Sequence, residues 1–293
     1  KVATIGFFDG VHLGHQSLIN ELKRSAAEAG ISSAVVTFRR HPRSVLNSEY
    51  RPQLINLFNE KIQHLSDTGI DYVIALDFDI AMSKMSSYEF IKFLRDKFNL
   101  AGLYIGYDHR FGYNRSDGFE DYKRYGKELG VEIYKAGVAL AGTTPISSSV
   151  IRRFLKEGDI SVVNEMLTYR YSLSGKVVSG YGVGRTIGFK TANIEVEDLD
   201  KLIPGNGVYA VYVKTADGVM HKGMMNIGNR PTVHYNVERA IEVHILDFDG
   251  ELYENNIEIF FEKFMRPERK MSGLDELKSQ LSKDRDMARE ILK

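Results

Sequence analysis

Two histidines three residues apart, His12 and His15, stand in the run Thr4-Ile5-Gly6-Phe7-Phe8-Asp9-Gly10-Val11-His12-Leu13-Gly14-His15. Residues at that spacing share a helix face, so both imidazoles can point at one spot. If a helix begins there, the same spot receives the unpaired N–H groups of its first turn and the positive end of its dipole. Such a place holds an anion, most naturally a phosphate. Gly14 removes the side chain between the two histidines and lets a flat ring approach the backbone. Two solvent-facing histidines or a zinc pair are the competing readings. Zinc finds little support, because the chain has no cysteine and no third ligand clusters nearby.

The surrounding pattern supplies the elements that must position this pair. Val2–Phe8 reads as a buried strand and Leu13–Ala29 as a helix with apolar residues at Leu18, Ile19, Leu22 and Ala26. Further strands are expected at Ser33–Phe38, Tyr72–Leu76, Leu103–Ile105 and Val131–Tyr134, and helices at Leu57–Ser66, Ser86–Phe98 and Phe119–Leu129. That alternation predicts a parallel sheet with ligands at the C-terminal ends of its strands. Ser148–Glu157 and Ile160–Leu167 read as two closing helices. From about Tyr169 the rhythm changes. Tyr171–Val178, Val208–Val213, Met220–Ile227, Ala240–Ile245 and Ile257–Phe261 are β-rich runs, several with period-two alternation, which predicts a small antiparallel barrel. Leu274–Leu292 closes the chain as an amphipathic helix through Leu274, Leu277, Leu281, Met287, Ala288 and Ile291. At 293 residues two domains are expected, 1–168 and 169–293.

Thirty-nine basic residues cancel thirty-nine acidic ones, so no overall field recruits nucleic acid or an anionic membrane. No apolar run reaches spanning length and no signal peptide is recognisable. With cysteine absent, disulfides and thiol redox chemistry are excluded, and a cytoplasmic setting is expected.

The opening run resembles the HxGH signature of the nucleotidylyltransferase superfamily, and Phe8–His15 is similar to the start of the bacterial bifunctional riboflavin kinase/FAD synthetases. The resemblance implies nucleotide binding by Gly6, Phe7, Phe8, Asp9, Gly10 and Gly14. His12 and His15 would stabilise phosphate charge while pyrophosphate leaves, with no covalent nucleophile. Three later segments match the same family in order. Thr37-Phe38-Arg39-Arg40-His41-Pro42 is similar to its TFxPHP segment, with Arg40 for a proline, and implies a flavin contact at His41. The residues alone read as an X-Pro turn. Ile105-Gly106-Tyr107-Asp108-His109-Arg110-Phe111-Gly112 resembles its GxDFxFG loop, with His109 for an aromatic. There Asp108 would bind nucleotide or make an Asx turn. Ile146-Ser147-Ser148-Ser149-Val150-Ile151-Arg152 resembles ISSTxIR, with Ser149 for threonine. Ser147, Ser148 and Ser149 can cap a helix and offer its N–H groups to phosphates, while Arg152 can fork onto departing pyrophosphate. A tRNA synthetase also carries an HxGH-like motif, but the chain lacks the basic surface such an enzyme needs.

In the second half, Gly180-Tyr181-Gly182-Val183-Gly184-Arg185-Thr186-Ile187-Gly188-Phe189-Lys190-Thr191-Ala192-Asn193-Ile194 fails as a P-loop. Val183 stands where the first glycine belongs, and Phe189 separates Gly188 from Lys190. It resembles the riboflavin kinase motif GxGxGRxxGFPTANI, with Lys190 for proline. Gly180, Gly182, Gly184 and Arg185 would cradle ATP phosphates. Thr191 and Asn193, alternate on a strand, would offer oxygens to ATP and to one Mg²⁺. A Gly-rich hairpin without a ligand is the alternative. Ile241-Glu242-Val243-His244-Ile245-Leu246-Asp247-Phe248-Asp249-Gly250 is similar to the kinases' ExHxLDFDG run, and implies that Glu242 is the base for the ribityl hydroxyl. Asn226-Ile227-Gly228-Asn229-Arg230-Pro231-Thr232-Val233 resembles NIGxxPTF. Arg266-Pro267-Glu268 matches RPE, which implies flavin contacts at Arg266 and Glu268.

The resemblance therefore implies an α/β Rossmann-like nucleotidylyltransferase domain followed by a small antiparallel β-barrel riboflavin kinase domain with a C-terminal helix. Riboflavin and ATP would give FMN, and FMN and ATP would give FAD and pyrophosphate, with Mg²⁺ in each step. The rivals are a flavin-binding or regulatory protein with one active domain, and a different nucleotidylyltransferase fused to a barrel.

Overall fold

Val2–Ile5 and Ser33–Phe38 are buried along their whole length, as strands covered on both faces must be. The computed structural model describes residues 1–106, 110–137, 140–141, 144–180, 183–231 and 237–293. In it β1 (Val2–Ile5), β2 (Ser33–Phe38), β3 (Tyr72–Leu76), β4 (Gly102–Ile105) and β5 (Glu132–Lys135) form one parallel sheet in the order β3-β2-β1-β4-β5. The helices between them are α1 (Leu13–Glu28), α2 (Pro42–Leu46), α3 (Phe58–Asp67), α4 (Ile80–Ser83), α5 (Ser87–Phe98) and α6 (Phe119–Leu129). A short antiparallel pair, β6 (Leu140–Ala141) and β7 (Thr144–Pro145), follows. The strand order reverses at β1, whose neighbours are β2 and β4, which is where such sheets open a crevice for ligands. Helix α1 buries Ile19, Leu22 and Ala26, each large apolar side chain contributing about 1.5–3 kcal/mol.

The chain divides into two units, Lys1–Ser148 and Ser149–Lys293. Helix α7 (Ser148–Glu157) starts at this seam, and α8 (Ile160–Leu167) follows. The seam falls before the change of rhythm at Tyr169 because both helices lean on what comes after them. The Asn164 amide donates to the Phe261 carbonyl at 2.8 Å and accepts from the Tyr171 N–H at 2.8 Å, and the Gly205 N–H donates to the Leu155 carbonyl at 2.9 Å.

Strands β8 (Ser172–Val178), β9 (Ala192–Glu195), β10 (Gly207–Lys214), β11 (Met220–Pro231), β12 (Val237–Ile245) and β13 (Asn256–Arg266) close a barrel in the order β10-β11-β12-β9-β8-β13, with β13 paired back to β10. Ile241, Val243 and Ile245 fill its interior, while Glu242 and His244 alternate onto the outer wall. The one-turn helix α9 (Val183–Thr186) lies in the Gly-rich segment, and α10 (Leu274–Ile291) ends the chain. The outward-facing Ala210 and Met224 pack with Ala288 and Leu292 at the end of α10. Leu274 and Met287, expected on the apolar face of this helix, are exposed; Asp284 is buried there instead.

Candidate active sites

Strand β1 ends at Ile5, short of the expected Phe8, because the chain turns back on itself before α1. Phe8 and Val11 have φ of 55° and 36°, left-handed values that are strained for any side chain and most of all for β-branched valine. His12 is the N-cap of α1, its Nδ1 accepting the His15 N–H at 3.4 Å. A neutral His12 ring then carries its proton on Nε2. The two imidazoles stack with centroids 3.7 Å apart, and Phe8 meets His15 edge-on at 5.0 Å. A Cβ on Gly14 would stand 3.1 Å from the His12 ring, so only glycine fits without displacing it. Helix start, N–H groups and both rings are therefore brought to one place.

The side chain of Asp9 does something else. Its buried carboxylate accepts the N–H groups of Ile55 at 3.0 and 3.1 Å and of Asn56 at 3.0 Å. What Asp9 offers elsewhere is its carbonyl, which accepts the Ser148 hydroxyl at 2.9 Å. Ser147 belongs to the same unit, whereas Ser149 and Arg152 lie in the second, Arg152 half-buried on α7.

A cavity of about 470 Å³ opens beside β1 and β2. Phe7, Phe38, Phe78 and Phe111 make aromatic walls, Met82 and Met85 pad it, and Arg43, Arg110 and Arg115 add charge at its lining. It has the size and apolar character of a site for a drug-sized ligand. His41 lies on its wall as the N-cap of α2, with Pro42 at the first helical position and the Phe7 ring 4.7 Å away. The turn expected before Pro42 is thus a helix start. Asp108 and His109 lie outside the described residues.

Sequence reasoning missed Lys61. It is 1% exposed, and its ammonium donates to the Phe7 carbonyl at 3.1 Å and the Phe38 carbonyl at 2.9 Å, and lies 3.9 Å from the Phe7 ring centroid. Burial lowers its pKa to about 8, against the opposing pull of Asp9. The signal was its place on the apolar stripe of α3, between Phe58 and Leu65.

In the barrel, β12 pairs with β9 so that Glu242 stands directly opposite Asn193, and with β11 so that it stands opposite Asn226. Cross-strand partners share a face, with Cβ atoms about 5 Å apart. Gly180 abuts the Asn193 amide so closely that any Cβ would overlap it, and a Cβ on Gly184 would strike the Phe189 carbonyl and come within 3.4 Å of the Thr191 hydroxyl. The glycines therefore fold the Gly-rich segment down onto Thr191 and Asn193. A cavity of about 290 Å³ beside them is lined by Gly180, Lys190, Thr191, Asn193, Phe248 and Tyr253 among others. The ammonium of Lys190 donates to the Gly250 carbonyl at 3.1 Å, and its own carbonyl lies 2.8 Å from Nδ1 of His244. Gly182 is outside the described residues, and Arg185 falls in α9.

Glu268 reaches Gly228, where a Cβ would overlap its carboxylate, so the Pro267–Glu268 segment meets the Ile227–Gly228 strand. The guanidinium of Arg266 forks onto Asp284 at 2.9 and 2.7 Å and donates to the Pro267 carbonyl at 3.0 Å. What the structure gives Arg266 is thus a strut from β13 to α10.

A parallel sheet with paired histidines at its switch point, joined in one chain to a closed antiparallel barrel that sets Glu242 opposite Asn193, defines an α/β-plus-barrel protein with a candidate site in each unit. The FAD synthetase family model matches residues 1–150, and the riboflavin kinase model residues 167–292. A bifunctional riboflavin kinase/FMN adenylyltransferase of Listeria monocytogenes is 37% identical over 97% of this chain and 90% of its own length. The Escherichia coli K12 protein of the same name is 35% identical over 99% and 92%. The chain belongs to the bifunctional riboflavin kinase/FMN adenylyltransferase family. A crystal structure named as a macrolide-efflux protein from Streptococcus pneumoniae shares the fold, with a TM-score of 0.89 at 28% identity over 99% of this chain and 93% of that one. Among the described residues no helix is long and apolar enough to cross a membrane.

Proposed function

We propose that the barrel transfers the γ-phosphate of ATP to riboflavin, and that the α/β unit joins the resulting FMN to AMP from a second ATP, giving FAD. The observation that carries this reading is the register of β12 on β9, which sets Glu242 across from Asn193. Glu242 accepts the proton of the terminal ribityl hydroxyl as its oxygen attacks the γ-phosphorus and ADP leaves. Gly180 and Gly184 hold the phosphates, and Glu268, steadied by the Arg266 strut, flanks the flavin. Thr191 and Asn193 present hard oxygen donors, a set that suits Mg²⁺ sharing its remaining positions with phosphate and water. Bound there, Mg²⁺ would neutralise phosphate charge.

In the α/β unit an FMN phosphate oxygen attacks the α-phosphorus of ATP, and pyrophosphate departs. His12, His15 and the N–H groups of α1 stabilise the charge that develops. Asp108, Ser147 and Ser148 add nucleotide contacts, and the aromatic cavity at His41 takes the flavin ring. The charge balance and the lack of cysteine fit a cytoplasmic enzyme with small-molecule partners only.

Incubation with riboflavin, ATP and Mg²⁺, with FMN and FAD resolved chromatographically, tests the reading. His15→Ala should lose FAD formation by roughly a hundredfold and keep FMN formation, since one charge-stabilising donor contributes about 3 kcal/mol. Glu242→Gln should do the reverse when FMN is supplied. Equal loss of both activities in either folded variant would remove the two-site assignment.

A further inference from the structure

An ammonium that is fully buried is costly unless it is paired and hydrogen-bonded. Lys61 meets that condition at one place in the α/β unit: the ends of β1 and β2. The Phe7 carbonyl accepts both the Lys61 ammonium at 3.1 Å and the Thr37 hydroxyl at 3.0 Å, and the Phe38 carbonyl accepts the same ammonium at 2.9 Å. Phe7 immediately precedes the strained Phe8, and Phe38 lies three residues before His41. Asp9, whose charge acts on Lys61, is itself fixed by the Ile55 and Asn56 N–H groups just ahead of α3. Strained backbone persists only where its surroundings over-determine it. Here the surroundings are this knot.

We infer that Lys61 is a positioning residue for adenylyl transfer: from α3 it clamps the ends of β1 and β2 and so holds the Phe8–His12 turn and the His41 wall in working register. The inference rests on reading the α/β unit as the adenylyl-transfer site. Lys61 touches no reacting atom; it acts through the Phe7 and Phe38 carbonyls and through Asp9. Misplacement of a catalytic group by about 1 Å is worth on the order of a hundredfold in rate, and a released turn would shift both histidines together.

The full chain provides its own control, because riboflavin phosphorylation belongs to the other unit. FMN formation, FAD formation from supplied FMN, and thermal unfolding are measured on the same preparations. Wild-type FAD formation establishes the underlying reading, and its absence would remove that reading rather than the role of Lys61. Lys61→Met should lower kcat for FAD formation on the order of a hundredfold, with KM for ATP little changed and FMN formation intact. Unchanged kcat in folded Lys61→Met overturns the inference, as does a loss proportional to the unfolded fraction.

A pH profile supplies a second arm that needs only the wild type and Lys61→Arg. The groups facing the ammonium are the Asp9 carboxylate, the Phe7 and Phe58 rings and the two carbonyls; Glu60, beside it, caps the Leu57 N–H, and His41 lies on the far side of Phe7. Saturated FAD formation should fall as pH rises through about 8, where Lys61 loses its proton. Lys61→Arg, which stays charged, should move that fall upward. A wild-type profile flat through this range, or one unmoved in Lys61→Arg, overturns the inference.

Discussion

Glu242 and Asn193 show how two residues far apart in sequence are set opposite each other by strand register alone. Each residue type was readable as a candidate in its motif; their opposition was not, since it depends on β12 lying beside β9. Asp9 shows the reverse. The resemblance implied nucleotide binding there; the fold adds that its buried carboxylate accepts the Ile55 and Asn56 N–H groups, partners that the motif does not announce. Gly180 gives a sharp residue-scale expectation, because a methyl there overlaps the Asn193 amide. Gly180→Ala should weaken ATP binding to the barrel and slow FMN formation by at least tenfold, a loss of about 1.4 kcal/mol or more. FAD formation from FMN should be unaffected. Titration of the variant with ATP and Mg²⁺ checks it, and normal affinity would mean that Asn193 is not a nucleotide contact. Lys61 carries a stability consequence as well. Its folded pKa of about 8 lies below the 10.5 of an ordinary lysine, so between those values the unfolded chain binds more protons and stability rises with pH. The penalty is complete below about pH 8 and is relieved toward pH 10.5, by up to about 3 kcal/mol. The wild type should therefore gain stability relative to Lys61→Met from pH 8 to 9.5, as read from urea unfolding at each pH. A constant difference would refute the shift.

Among the elements, strand and helix placement was largely legible: β2, β3, α6, α7 and α8 have the bounds that their apolar periods predict. Faces were less so. On α10 the stripe Leu277, Leu281, Asp284, Ala288 puts an acid in the seam, and a reading by hydrophobicity passes over it in favour of Met287. Likewise α3 carries Lys61 on its apolar side. In both helices the charged residue is buried because a specific partner waits there, Arg266 in one case and two strand-end carbonyls in the other. Period alone cannot announce a partner. Asp284 is 1% exposed, and its removal leaves the Arg266 guanidinium without its counter-charge. Asp284→Ala should destabilise the barrel by about 3–5 kcal/mol. Pairing Asp284→Leu with Arg266→Met should recover much of that loss. Denaturant midpoints followed by FMN-forming activity distinguish the two. Equal midpoints for Asp284→Ala and wild type would show that the strut carries no stability.

At the scale of the whole molecule the two units manage their strand edges in opposite ways. The barrel closes on itself, so each of its strands has a neighbour on both sides, and closure leaves little edge for another chain to pair with. The parallel sheet ends at β3 and β5, where Tyr72, Glu132 and Lys135 are exposed. Charged β5 is the guarded edge. β3, with Tyr72, Val73, Ile74, Ala75 and Leu76, is the vulnerable one, and a partly opened α/β unit offers it as a template. On slow heating, FAD formation should therefore fail at a lower temperature than FMN formation, with light scattering rising at the first loss. Tyr72→Lys should delay both the scattering and the loss. Simultaneous failure of the two activities would argue against this order. If the order holds, topology alone gives the enzyme a direction of decline: under thermal stress it turns from a maker of the dinucleotide into a source of its mononucleotide precursor.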